Sequence, residues 1–498
     1  MAGRGIRFLR RGRLVEIEAF DPRTTLLDWL RLEEGATGTK EGCAGGDCGA
    51  CTVILARHHS GQLVYHPVNA CIHLLGQLDG AELITIEDLA QGSDLHPVQH
   101  AVMAHHGVQC GFCTPGVVMS LFALYHREGP VDEGQVRTAL AGNLCRCTGY
   151  RPLLEAGLSV CSGEREDRFT QTEAASIKVL AALDDEEDVF AGDETAFFAA
   201  PRSEAMLSAL IERYPDAQLV AGATDVGRWI TKDLRSLKHV IWLGRVRSLG
   251  QIMQGVDRLV LGAGVPLAEA MPYLSRLDPD LEDLLARFGS EQIRQAGTIG
   301  GNLANAAPDG DLAPALIALG AVLELVNGGK ARALLVENFF LEARKQDRQA
   351  GDYLRAVHIP RLDAGIYFRA MKISKRFDAD NATVTGAFRI TLQGGLIAEA
   401  RLAYGGMAGI PKRAAQAETL LHGKPIGSAA TWKQAAEALA EDFKPIGDYK
   451  ASAHYRMQAA RGLLIKALAE IAGLPVTSTR IHPRMAHVDL QQGVSVDE

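Results

Sequence analysis

Cys43-Ala44-Gly45-Gly46-Asp47-Cys48-Gly49-Ala50-Cys51 decides how the first part of this chain folds. Four residues separate Cys43 from Cys48, two separate Cys48 from Cys51, and Cys71 follows after nineteen more. That is the plant-type spacing for a 2Fe–2S cluster. Thiolates from one short loop must converge on one inorganic core, so the loop has to be tight and nearly free of side chains. Gly42, Gly45, Gly46 and Gly49 are expected to supply positive-φ backbone there. Their N–H groups can then point at the sulfurs and tune the potential. A zinc site, or a glycine-rich turn with incidental thiols, is the bland alternative. Three matching intervals and a second cysteine set favour the cluster.

That second set is Cys110-Gly111-Phe112-Cys113 and Cys145-Arg146-Cys147. Thr114 and Pro115 read as the start of a helix carrying Val117, Val118, Leu121, Phe122 and Tyr125. Pro152 reads as the opening of another, running to about residue 156. Each cysteine pair therefore lies near a helix N-terminus, where the dipole and free N–H groups favour thiolate. Taken alone, C-x2-C with C-x-C also suits zinc. Behind a ferredoxin-type loop, a second 2Fe–2S centre is the favoured reading, and two centres in one short module imply a relay.

The chain has 498 residues, 47% hydrophobic and 22% charged, and a net charge of −8. That length exceeds one ordinary core. The charge leaves no footprint for nucleic acid or an acidic membrane surface. No apolar run is long enough to span a bilayer, and the basic N-terminus lacks an apolar signal region. Eight of nine cysteines fall between Cys43 and Cys147 in ligand-like spacings, which suits a cytoplasmic metalloprotein better than a disulfide scaffold. Cys161 is left as a bystander. His58-His59 and His105-His106 lack partner spacing, and the charges at Lys375-Arg376 and between Arg245 and Arg247 read as ordinary solvated surface.

Residues 6–10 and 13–17 alternate as a hairpin. Asp21 or Thr24 is expected to cap a helix with Leu26, Leu27, Trp29 and Leu30 on one side. Strands follow at 51–55 and 81–86, with a short apolar helix at 72–78 between them. Helices follow from Pro97 and at 133–141. Residues 162–192, with the run Asp184-Asp185-Glu186-Glu187-Asp188, read as a charged, partly mobile linker. Farther on, a helix at 205–214 and a strand at 217–221 lead into Gly222-Ala223-Thr224-Asp225. A second bare turn is Gly297-Thr298-Ile299-Gly300-Gly301-Asn302. Both can offer N–H groups to phosphate oxygens. Neither they nor Gly262-Ala263-Gly264 is a Rossmann fingerprint. Strands at 383–392 and 396–404, then helices between 431 and 471, suggest an α+β domain. The tail after about Ser478 reads as unstructured.

The eight cysteines in order, Gln109 before Cys110, the run from Asn143 through Cys145 and Cys147 to Arg151, and Gly300-Gly301-Asn302 together carry a resemblance. The chain resembles the iron–sulfur and FAD part of xanthine dehydrogenases, over about residues 5–480, in the form of the small subunit of two-subunit bacterial members. The resemblance implies a multidomain α+β fold. A β-grasp ferredoxin-like domain occupies 1–90 and a helical 2Fe–2S bundle 91–162, with a linker at 163–192. A vanillyl-alcohol-oxidase-type FAD domain then spans 193–370, a C-terminal α+β flavoprotein domain 371–480, and a tail 481–498.

It also implies the ligands and contacts. Cys43, Cys48, Cys51 and Cys71 hold one centre; Cys110, Cys113, Cys145 and Cys147 hold the other. FAD meets Leu219, Ala221, Gly222, Ala223, Thr224, Asp225, Phe288, Thr298, Gly301, Asn302, Asn305, Asp311, Leu354 and Lys372. Asp225 stands where better-known members have Glu, and Asp309 replaces an apolar residue. No catalytic residue is assigned to this chain; Gln109 reaches the pterin on a large molybdopterin-binding partner, with two heterodimers expected to pair. The implied activity passes electrons from hypoxanthine and xanthine oxidation at the partner through both clusters to FAD, and on to NAD+. An aldehyde or N-heterocycle hydroxylase, or a non-catalytic redox module, is the alternative.

Overall fold

The computed structural model describes residues 3–377 and 379–480; the expected tail at 481–498 lies outside them. The chain forms two compact units. One holds the residues through Leu249 together with Gly289–Thr298; the other holds Gly250–Phe288 and continues from Ile299.

The first unit begins with a five-stranded mixed sheet in the order Arg13–Ile17, Ile6–Arg10, Glu82–Ile84, Thr52–His59, Gln62–Asn69. Ile6–Arg10 pairs antiparallel with Arg13–Ile17 and parallel with Glu82–Ile84. Arg11 (φ 52°) and Gly12 (φ 70°) make the turn between the first two strands, the left-handed pair that matches strand twist. Ile6, Phe8, Val53 and Leu55 face one core with Leu26 and Leu30, and Phe8 meets Trp29 edge-on. This is the expected β-grasp arrangement, with differences. Thr25, not Asp21 or Thr24, caps the helical turn Leu26–Asp28. The expected apolar helix is a 3₁₀ turn, Leu75–Leu78. The strand Gln62–Asn69 was not anticipated; Pro67 within it demotes a strand reading.

Four helices, Pro97–Ala104, Thr114–Tyr125, Glu133–Leu140 and Arg151–Cys161, build a second core. Thr114–Tyr125 is buried from Gly116 to Tyr125, as its unbroken apolar run requires. Arg151–Cys161 runs past the expected end and buries Cys161. A four-stranded sheet follows in the order Val189–Gly192, Phe197–Ala200, His239–Trp242, Gln218–Val220.

The linker expectation is corrected. Residues Arg168–Leu183 form a helix capped by Asp167. The acidic run after it is an ion-pair partner, not a free solvated face. Asp185 binds Arg4 and Arg245, and Asp184 binds Arg202 and Arg247. Arg245, expected on the surface, is buried between Asp79 and Asp185. Buried charges persist only when paired, and the acidic run supplies the pairing.

The second unit has an antiparallel sheet in the order Ile252–Gln254, Arg258–Gly262, Tyr353–Pro360, Val322–Asn327, Lys330–Leu335. A second sheet, Ile366–Ile373, Val384–Gln393, Leu396–Gly405 and Lys412–Arg413, packs with the helices Ala415–Leu421, Ala429–Asp442 and Ala453–Ile471. Arg480 is anchored to Asp280 and Glu470, so the last described residues are tied down.

Candidate functional site

Strand pairing assembles the first thiol set. Thr52 and Asn69 are partners at the ends of adjacent antiparallel strands. Cys51 and Cys71 flank that pair and are brought together, with Ala70 N donating to Cys51 O at 3.2 Å. The loop carries Cys43 and Cys48 in from the other side. Cys43 Sγ is within hydrogen-bonding reach of the Cys48 and Cys71 sulfurs, and Cys51 of Cys71. Amide N–H groups of Gly45, Asp47 and Cys48 donate to Cys43 Sγ at 3.3–3.4 Å. Donation from the Cys48 and Cys71 thiols and from these amides holds the Cys43 thiol well below its usual range, while Cys71 is driven up as donor to Cys43 and Cys51 and by burial. The positive φ values fall at Ala44, Gly46 and Gly49, not at Gly42 or Gly45. Gly42 is required for space instead: a Cβ there would sit 2.8 Å from Cys48 Sγ.

The second set also converges. Cys110 and Cys147 sulfurs lie 3.6 Å apart, and Cys113 reaches Cys145. Cys113 occupies the N-cap of Thr114–Tyr125, one residue earlier than anticipated. Burial and donation to Cys145 push the Cys113 thiol up to about 12. Cys145 is buried, which opposes its ionisation, yet the Thr148 hydroxyl at 3.2 Å helps to draw it below the ordinary thiol value. Tyr150, at φ 68°, turns the chain into the next helix and accepts from Cys145 N at 2.9 Å. Cys110 and Cys147 are exposed, beside the exposed Gln109 and Phe112. None of the nine cysteines is in a disulfide. Each set offers four thiols and bare amides, a donor chemistry that fits a 2Fe–2S centre.

The two loops are joined directly. Leu144 N, next to Cys145, donates to Cys48 O at 2.9 Å. Asn143 Nδ2 donates to Gly49 O at 3.1 Å. Asn69, Ser120 and Gln292 around this junction carry no signal in the sequence. Asn143 does, as the first residue of the run that leads through Cys145 and Cys147.

In the first unit the strand Gln218–Val220 contains Leu219 and leads into the turn Ala221, Gly222, Ala223, Thr224 and Asp225. Ala221 O accepts from Gln77 Nε2 and Trp242 Nε1, each at 3.0 Å. A Cβ on Gly222 would lie 1.9 Å from Ala296 O, so glycine is obligatory, and Ala223 holds φ 59°. Asp225 is the N-cap residue of Val226–Thr231 but makes no side-chain cap. The same unit buries Thr298. Gly227 packs its backbone on Ile72, the residue after Cys71, and Thr231 Oγ1 donates to Ala44 O at 2.6 Å.

In the second unit the helix Ile299–Ala304 contains Gly301 and Asn302, with Asn305 just beyond it. Gly300 is needed against Ala263, where a Cβ would lie 2.5 Å from the alanine Cβ. Phe288 and Leu354 join the main core. Lys372 Nζ donates to Asp311 Oδ2 at 2.7 Å, Arg287 O at 2.8 Å and Asp380 O at 2.9 Å. Its donors are thus spent on the protein, so Lys372 holds Asp311 in place. Burial pushes the Asp311 carboxyl up against the pull of Lys372. Asn302 Oδ1 and Asp311 Oδ1 are buried without a partner among the described residues. Such atoms need an explanation, and a polar cofactor supplies one. Asp309, the departure noted above, pairs with Lys450.

Four family models match in sequence. They are a 2Fe–2S iron–sulfur cluster binding domain at residues 9–74, a 2Fe–2S binding domain at 85–158, the FAD binding domain in molybdopterin dehydrogenase at 193–362, and the CO dehydrogenase flavoprotein C-terminal domain at 369–471. The chain is 31% identical to xanthine dehydrogenase/oxidase of Rattus norvegicus over 80% of its own length and 34% of that protein. It is 31% identical to xanthine dehydrogenase of Emericella nidulans over 93% of its length and 38% of that protein. Aldehyde oxidase 1 of Cavia porcellus is 32% identical over 80% and 34%. The chain therefore spans little more than a third of these relatives. Among solved structures, a Cu,Mo-CO dehydrogenase chain superposes with TM-score 0.52 at 26% identity, covering 54% of this chain and 95% of that one. Quinoline 2-oxidoreductase from Pseudomonas putida 86 gives 0.51 at 26%, over 55% and 95%.

Proposed function

This chain belongs to the molybdenum hydroxylases, as their iron–sulfur and FAD portion, and we propose that it is the electron-transfer subunit of a xanthine dehydrogenase. Cys43, Cys48, Cys51 and Cys71 hold one 2Fe–2S centre and Cys110, Cys113, Cys145 and Cys147 the other. FAD is held by Leu219, Ala221, Gly222, Ala223, Thr224, Asp225, Phe288, Thr298, Gly301, Asn302, Asn305, Asp311, Leu354 and Lys372. When bound, these groups carry single electrons and gather two for NAD+.

One observation carries the reading. Two four-thiol sets share one unit, with a backbone hydrogen bond between their loops, and the helix that follows the turn from Ala221 to Asp225 meets Ile72 and Ala44 of the first set's surroundings through Gly227 and Thr231. Two cluster sites joined in this way, with a flavin turn in the same unit, suit a relay. Cys110 and Cys147 of the second set are exposed beside Gln109, with Met103, Val108, Phe112 and Leu144 also exposed. That surface suits a large molybdopterin-binding partner, where hypoxanthine is oxidised to xanthine and xanthine to urate, each step releasing two electrons. The first set, with Cys51 and Cys71 buried and no cysteine exposed, then serves as the inner station. Cytoplasmic assembly as a pair of heterodimers completes the proposal.

A second reading keeps the relay and changes the partner's substrate to an aldehyde or N-heterocycle. The aldehyde oxidase relative and the quinoline 2-oxidoreductase likeness favour it. Metal and flavin analysis of the purified chain tests the relay: two 2Fe–2S centres require four irons and four acid-labile sulfides, and the flavin site one FAD. Stoichiometric zinc sinks it. Xanthine against aldehyde turnover by the assembled complex, with NAD+ as acceptor, decides between the substrates.

A further inference from the structure

The short helix Glu291–Ala296 reaches two redox elements from one position. At its N-terminal end Gln292 enters the junction between the thiol-bearing loops. Gln292 Nε2 lies 3.0 Å from Ser120 Oγ, 3.2 Å from Thr52 Oγ1 and 3.4 Å from Asn143 Oδ1. Ser120 Oγ donates to Asn143 Oδ1 at 2.7 Å, and Asn143 Nδ2 to Gly49 O at 3.1 Å. All four side-chain partners are buried, none more than 2% exposed. The backbones crowd around them. A Cβ on Gly49 would lie 2.2 Å from Gly142 O, one on Gly116 2.0 Å from Gly49 O, and one on Gly142 2.3 Å from Gln292 Oε1. At the other end of the helix Ala296 O closes on Gly222. His66 Nδ1 to Gln295 Oε1 at 2.9 Å, and an Arg127–Glu291 ion pair, fix the helix between.

We propose that Gln292, with Asn143 and Ser120, is a positioning residue for electron passage between the two cluster sites. The proposal rests on the cluster reading above. The amide network holds Asn143, and so keeps the neighbouring Leu144 N on Cys48 O. That hydrogen bond is the one non-covalent link in the path from Cys145 to Cys48. In the step itself one electron leaves the centre held by Cys110, Cys113, Cys145 and Cys147, which is oxidised. The centre held by Cys43, Cys48, Cys51 and Cys71 is reduced. No bond or proton is exchanged; the partner's substrate is the reductant and the flavin the final acceptor in this chain. Buried amide networks fix geometry in this way because unpaired polar atoms are costly; Gln292 is tied in through Nε2, while its buried Oε1 has no partner among the described residues.

The test compares the full cluster- and flavin-loaded chain, unmodified, with Gln292→Leu and Ser120→Ala. Three quantities are read: iron content, the magnetic splitting between the two reduced-cluster resonances, and the intercluster transfer rate in the assembled complex. Gln292→Leu is expected to keep its irons and both sets of g values. Its splitting should fall about twofold and its rate about tenfold, with Ser120→Ala changing both less and in the same direction. A folded variant with full iron, unchanged splitting and unchanged rate overturns the proposal and leaves the cluster reading standing. An unmodified chain without iron overturns both. If Gln292→Leu does not fold, Ser120→Ala decides on the same readings.

Discussion

Cys51 and Gly222 show how single positions set the chemistry. Cys51 is buried just before Thr52–His59, and Ala70 N donates to its carbonyl, which brings the next residue, Cys71, close to it. Serine in its place is a poor ligand for iron. Cys51→Ser is expected to remove one 2Fe–2S resonance and about half the iron, the other signal surviving; paramagnetic resonance with iron analysis checks it. Gly222 has no room for a methyl group, since Ala296 O stands 1.9 Å from the Cβ position. Gly222→Ala must displace backbone. FAD occupancy should drop while both cluster signals remain, as flavin absorbance against iron content will show. The eight cysteines were legible because their spacing is local. The roles of Gly42 and Lys372 were not. One is fixed by a sulfur six residues away, the other by Asp311, which is sixty-one residues distant in sequence.

The helix Arg168–Leu183 stands on a buried trio. Asp167 Oδ2 lies 2.6 Å from His96 Nε2 and 2.9 Å from His126 Nε2, while its Oδ1 accepts from Phe169 N and Thr170 N. Val98 N donates to His96 Nδ1, so the neutral His96 ring carries its proton on Nε2, facing the carboxylate. That tautomer suits a hydrogen bond, not a metal ligand. Burial opposes the Asp167 charge, but His126, His96 and the backbone N–H of Thr170 hold the carboxyl far below its usual range. A depressed carboxyl pKa stabilises the fold above the unfolded value of 3.8, and that contribution is lost as pH falls below it. Asp167→Asn should therefore cost about 2 kcal/mol at pH 7. The gap from wild type should stay constant down to about pH 4 and narrow only below that; denaturant midpoints measured across pH check this. Helix and cap lie where composition alone reads as linker, because the histidines that hold Asp167 are supplied by the preceding helical region.

On the scale of the whole molecule, ligand binding to folded chain alone should show as stability by mass action. FAD at a hundredfold excess over its Kd should stabilise by about 2.7 kcal/mol, raising the melting temperature with flavin concentration; scanning calorimetry with and without FAD measures it, and no shift would count against the flavin assignment. The sequence by itself determined the two thiol sets, the helices announced by Thr114-Pro115 and by Pro152 to within a residue of their starts, the opening hairpin and the late α+β pattern. Each depends on neighbours in the chain: ligand spacing, capping and period. Only the tertiary structure decided that Glu82–Ile84 pairs with Ile6–Arg10, that Asp184 and Asp185 answer Arg202 and Arg245, and that Gly289–Thr298 joins the unit of the cysteines. Those choices rest on partners distant in sequence, which meet only once the intervening chain has folded and, for Arg202 and Arg245, burial of the guanidinium demands a partner.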